Sequence, residues 1–123
     1  AASTLFHAVD LAGARVLIVE DAALLAMELE TGLSEAGATV VGPAYELEEA
    51  LALLDQPLDA AVLDANLNGL SVGPVADILA ERGVPFVFAT GYGDAGFDAP
   101  VIRKPYDVTQ VTAAVADLLA PRR

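Results

Sequence analysis

Short apolar runs that end in a polar residue recur down the chain. "RVLIV" (15–19) is followed by Glu20-Asp21, "DAAVL" (59–63) by Asp64, "PFVFA" (85–89) by Thr90, and "VI" with its neighbours (100–103) by Lys104. With "TVV" (39–41) these make five candidate strands. Runs this continuous in apolar character are buried on both faces, the signature of a parallel sheet with helices on either side. Segments of helical period fill the intervals at about 22–36, 46–54 and 72–82, with a last one at about 108–119. Gly37 and Gly83 stand where helix C-caps favour glycine, and Asp107 with Gln110 has the spacing of a capping box. The repeated βα pattern predicts the α/β class, with a doubly wound five-stranded parallel sheet in a three-layer sandwich. One connection is anomalous, because only about ten residues, among them Gly91, Gly93, Gly96 and Pro100, separate the fourth strand from the fifth. A parallel crossover usually takes a dozen or more residues, mostly helical. The fourth helix is therefore expected to be short or missing.

The chain's 123 residues suit a single domain. We divide it into a lead segment or linker over 1–13 and one folded unit over 14–120. Eighteen acidic residues against six basic ones leave a net charge of -12, which disfavours nucleic acid and anionic membrane and favours basic proteins and metal cations. The absence of cysteine excludes disulfides and thiolate metal sites. No apolar run approaches the roughly 18 residues of a membrane span, and the opening residues lack the basic start of a secretory signal. A cytoplasmic location is the expectation. Leu5, Phe6 and Val9 could form one amphipathic turn, and His7 beside them is expected to be exposed.

In doubly wound sheets ligands bind at the carboxyl ends of the strands. Four apolar strands deliver three carboxylates, a hydroxyl and an ammonium to that edge: Glu20, Asp21, Asp64, Thr90 and Lys104. Lys104 is the only lysine in the chain, and Pro105 follows it at once. If strands one and three are neighbours, at about 4.8 Å, Asp21 and Asp64 come close enough to share a ligand. Carboxylates so crowded repel each other unless a divalent cation neutralises them, and hard oxygen ligands with room for water and phosphate describe a Mg²⁺ (or Mn²⁺) site. Lys104 as a point charge and Thr90 as a hydroxyl donor suit a phosphoryl group on the other side. Asp64, between metal and lysine, is placed as a nucleophile for phosphoryl transfer.

The set "IVED" at Glu20-Asp21, "LDANLNG" around Asp64, "FATG" at Thr90 and "RKPY" at Lys104 resembles the receiver domain of two-component response regulators. The resemblance runs from about Arg15 to the last helix. It implies a flavodoxin-like fold of strand order 2-1-3-4-5, and phosphoryl transfer to Asp64 from a histidine kinase or histidine phosphotransfer protein. It further implies Mg²⁺ held by Asp21, Asp64 and the backbone carbonyl of Asn66, with Glu20 acting through water, and phosphoryl oxygens meeting Thr90 and Lys104. Asn66 and Tyr92 are the positions where the family tunes the lifetime of the phosphoryl group. The words "PFVFATGYG" look like the branch nicknamed FAT GUY, many of whose members are freestanding receivers, with related receivers at the ends of hybrid kinases, and the resemblance implies one or the other for this chain. Val101 stands where the family usually has a switch aromatic, three places before Lys104. With the eroded fourth helix, this leads to the expectation that phosphorylation orders the 91–100 stretch instead. The chain is expected to act as a signalling module rather than an enzyme, through the 90–106 face, and the sequence leaves homodimerisation open.

Three other readings compete. Gly91, Gly93 and Gly96 spell a dinucleotide fingerprint, but they lie in the fourth unit, with no adequate helix after them and no acidic strand end about 20 residues on. A Mg²⁺-dependent phosphatase would want a second acid close after Asp64, where Asn66 stands. An adaptor that is never phosphorylated would have no use for the intact set of strand-end residues.

Overall fold

A computed structural model describes residues 10–91 and 98–120. Its main sheet contains β1 (Arg15–Val19), β2 (Thr39–Ala44), β3 (Ala60–Leu63), β6 (Phe86–Thr90) and β7 (Val101–Arg103), in the order β2-β1-β3-β6-β7. Every pairing is parallel. The expected order 2-1-3-4-5 is therefore observed. The helices are α1 (Ala23–Glu35), α2 (Leu47–Leu53), α3 (Gly73–Glu81) and α4 (Val108–Leu119), and β4 (Asn66–Leu67) pairs with β5 (Leu70–Ser71) in a small antiparallel hairpin.

Alternation along each strand splits the core into two layers. Leu17, Val19, Ala61, Leu63, Phe86 and Phe88 face α2 and α3, packing on Ala50, Val75, Ala76 and Leu79. Val16, Ile18, Ala60, Val62, Val87 and Ala89 face the other way, onto Leu29 and Leu33 of α1 and Val111 and Val115 of α4. Leu11, assigned from the sequence to the lead segment, joins the second layer: it is buried and donates its N–H to the Ala36 carbonyl. The capping box at α4 forms as expected, with Asp107 Oδ1 accepting from the Thr109 N–H and Gln110 Oε1 from the Asp107 N–H.

Two features depart from the sequence reading. The second strand continues three residues past "TVV" to Ala44, through Gly42-Pro43, which reads as a stop. Its pairing with β1 absorbs one extra residue, since Leu17 pairs with Val41 and Val19 with Ala44. Gly42 makes this workable at φ +94°: a Cβ there would lie 2.8 Å from the Ala44 nitrogen and 3.1 Å from the Ile18 carbonyl. The other departure is the β4–β5 hairpin, whose strands are too short to show a hydrophobic period. Of the stretch expected to replace the fourth helix, residues 92–97 lie outside the described residues, as does His7.

Candidate functional site

The carboxyl edge of the sheet gathers the predicted residues because parallel neighbours in register end together. Val19 pairs with Leu63 and Leu63 with Phe88, so Glu20-Asp21, Asp64 and Thr90 leave their strands side by side. Thr90 pairs with Arg103, and the Lys104 N–H is bonded to the Thr90 carbonyl at 2.9 Å, which ties the last two strand ends. Asp21, Asp64, Asn66, Gly91 and Lys104 line an open depression of about 400 Å³. Thr90, the last residue of β6, is fully buried.

Lys104 organises the charges. Its Nζ lies 3.0 Å from Asp64 Oδ2, 3.1 Å from Glu20 Oε1 and 3.3 Å from Glu20 Oε2. Burial works to lower its pKa, but the hydrogen bonds to Asp64 and Glu20 outweigh that, and the ammonium is held above its ordinary value. Asp64 Oδ1 accepts from the Asn66 N–H at 3.2 Å, and Glu20 Oε2 from the Ala22 N–H at 3.1 Å. Glu20 is 1% exposed, and burial, with the neighbouring Asp64 charge, pushes its carboxyl up to about 7. Its Oε1 lies within ion-pair distance of Lys104 and has no hydrogen-bond partner among the described residues.

Glu20, Asp21 and Asp64 each offer a carboxylate oxygen within 4.8 Å of the others. One ammonium cannot balance three carboxylates, and a buried oxygen lacking a hydrogen bond is left among them. This donor set suits a small hard divalent cation such as Mg²⁺.

Other expected residues lie elsewhere. Val101 pairs with Phe88 in β7 and is 37% exposed, on the sheet's edge strand rather than in the depression. Pro105 is exposed and lines a separate recess with Leu25, Glu28 and Tyr106. Tyr92 and most of the 91–100 stretch fall outside the described residues. In the "ELEE" run at the start of α2, Glu46, Glu48 and Glu49 are exposed. Leu24 and Met27 are 77% and 57% exposed on α1, beside a groove reaching Gly32, Val108 and Thr112 of the α1–α4 seam.

Sequence reasoning missed two groups near the site. The Asn68 N–H, at the tip of the β4–β5 hairpin, donates to Asp21 Oδ2 at 2.9 Å; Asn68-Gly69 is a strong hairpin signal and could have located that tip. Tyr106 has a buried hydroxyl with no hydrogen-bond partner among the described residues, and burial together with the charges of Glu20, Asp64 and Glu28 raises its pKa. Nothing in the sequence marks that hydroxyl.

No family model matches the chain. The phyllosphere-induced regulator PhyR of Methylorubrum extorquens is 30% identical over 114 residues, covering 85% of this chain and 43% of PhyR. The chain spans about half the length of the curated relatives it matches. The solution structure of SdrG from Sphingomonas melonis is 42% identical with a TM-score of 0.74, covering 87% of this chain and 97% of SdrG. A response regulator receiver protein from Sinorhizobium medicae superposes with a TM-score of 0.77 at 25% identity, covering 86% of this chain and 94% of that one. This chain is a response regulator receiver domain. The receiver's sheet order and helix arrangement match the flavodoxin-like architecture of those structures. Among its described residues, no helix is long and apolar enough to cross a membrane.

Proposed function

We propose that this receiver is the phosphoacceptor of a two-component relay, taking a phosphoryl group from a phosphohistidine of a histidine kinase or histidine phosphotransfer protein onto Asp64. The observation that carries the reading is the Asp64 carboxylate, 4% exposed, at a strand end that opens on the depression with the Lys104 ammonium 3.0 Å away. An Asp64 oxygen attacks phosphorus as the bond to the imidazole nitrogen breaks. The imidazole leaves with the bonding pair and takes up a proton, and Asp64 becomes an acyl phosphate. Later attack by water on phosphorus breaks the new P–O bond, returning the carboxylate and inorganic phosphate.

Lys104 stays protonated throughout, because its pKa is held high by the carboxylates it bridges, and it meets negative charge on the phosphoryl oxygens. Thr90 donates its hydroxyl to the same group, with the backbone bond between Thr90 and Lys104 fixing the spacing of the two donors. Mg²⁺, or Mn²⁺, would be held by Asp21, Asp64 and the Asn66 carbonyl with Glu20 acting through water, and supplies charge neutralisation for carboxylates and phosphoryl oxygens alike. Asn66 and Tyr92 are assigned to set the lifetime of the phosphoryl group.

The run "PFVFATGYG" and the exposed Val101 in the usual switch position favour the FAT GUY branch. Output then goes through protein contacts of the 90–106 face. The test is titration with beryllofluoride and Mg²⁺, followed by amide NMR. The wild type is expected to shift at the ends of β3, β6 and β7, and Asp64→Asn to remain unchanged; equal responses from both chains would contradict the reading.

A further inference from the structure

The β4–β5 hairpin touches two of the three clustered carboxylates through its own backbone. Asn66 N–H bonds to Asp64 Oδ1, and Asn68 N–H bonds to Asp21 Oδ2 at 2.9 Å. The turn is built to aim the second donor. Asn68 at φ +53° and Gly69 at φ +90° are the central residues between the paired Leu67 and Leu70, as a two-residue primed hairpin loop requires. Gly69 N–H is in turn held by Asn66 Oδ1 at 2.8 Å. The hairpin is thus braced at its base and presents one N–H outward from its tip.

Asp21 needs such a restraint. It is only partly buried, at the start of the loop after β1, and Lys104 reaches Asp64 and Glu20 but makes no ion pair with it among the described residues. Repulsion from Glu20 and Asp64 pushes its side chain toward solvent. We propose that Asn68 is a positioning residue for the cation, its N–H holding Asp21 against that repulsion so that the carboxylates converge on one ion. The proposal rests on the metal reading of the site. By linkage, an ion bound at Asp21 stabilises the hairpin as much as the hairpin favours the ion.

Asn68→Gly keeps both the N–H and the positive φ, whereas Asn68→Val keeps the N–H but places a β-branched residue where φ +53° is strained, so the turn must shift and carry that N–H away from Asp21. Mn²⁺ alone is titrated by electron paramagnetic resonance, with urea unfolding in parallel. Asn68→Gly is expected to bind within about twofold of the wild type and Asn68→Val roughly tenfold more weakly, the scale of a lost outer partner of a metal ligand. Unaltered or tighter binding by Asn68→Val overturns the proposal. Should that variant not fold, the wild type decides: saturation with Mg²⁺ must move the Asn68 amide resonance and slow its exchange, and an unmoved amide overturns the proposal. A wild type that binds neither ion contradicts the metal reading itself, and the proposal falls with it.

Discussion

Lys104 Nζ lies 3.0 Å from Asp64 Oδ2, and with its contacts to Glu20 it is the cation that makes two buried carboxylates tolerable on one sheet edge. Removing it leaves charges that burial penalises and that no other cation among the described residues pairs with. Lys104→Met is expected to destabilise the metal-free receiver by roughly 1–3 kcal/mol, less than for a fully buried pair because the lysine is 26% exposed. Saturating Mg²⁺ should recover part of that loss. Urea unfolding with and without Mg²⁺ checks both statements; unchanged metal-free stability would contradict them.

Tyr106 carries an opposite expectation. Its buried hydroxyl has no hydrogen-bond partner among the described residues, so it contributes a desolvation cost with no compensating bond from them. Tyr106→Phe should therefore be neutral or stabilising by up to about 1 kcal/mol in the unphosphorylated protein. A loss of more than about 1 kcal/mol in thermal unfolding would mean that the hydroxyl has a partner after all.

Gly32 sits inside α1, where glycine ordinarily costs up to about 1 kcal/mol relative to alanine. Here a Cβ would fall 2.4 Å from Val108 Cγ1 of α4, so the missing side chain is what lets the two helices close. Gly32→Ala is expected to destabilise by about 1–3 kcal/mol rather than to stabilise. Combining it with Val108→Ala should cost less than the sum of the two single changes. A double-mutant cycle by chemical denaturation reads the coupling, and strict additivity would contradict it.

Much of this site is legible in the residue order alone. The Glu20-Asp21 pair, Asp64 and Thr90 each come directly after an apolar run, and Lys104 comes after Val101-Ile102-Arg103; parallel strands in register bring such strand ends together, so the sequence and the sheet order suffice to assemble them. The hairpin escapes because Asn66–Leu67 and Leu70–Ser71 are too short for a period to emerge. The second strand reads as shorter than it is because Gly42-Pro43 punctuates a sequence even where the chain runs on through a bulge. The unpartnered Tyr106 hydroxyl and the approach of Val108 to Gly32 depend on how α1 and α4 seat on the sheet, and neither leaves a local trace.

The N-cap of α4 supplies a local pH test. The Asp107 carboxyl accepts from the Thr109 N–H, which holds its pKa below the ordinary 3.8. A depressed carboxyl contributes stability that is present above the unfolded pKa and lost as pH falls through the lower folded value. Amide exchange at Thr109 should accordingly quicken only below about pH 3.8. Asp107→Asn, which still accepts but does not titrate, should remove that step. An unchanged pH profile in the variant would show that other carboxyls govern the end of this helix.

Intact mass after incubation with Mg²⁺ and a small phosphodonor bears most directly on Asp64. The wild type should gain the mass of one phosphoryl group and lose it again on standing, while Asp64→Asn gains none. A wild type that stays unmodified, or a variant modified to the same extent, would contradict the assignment of Asp64 as the phosphoacceptor.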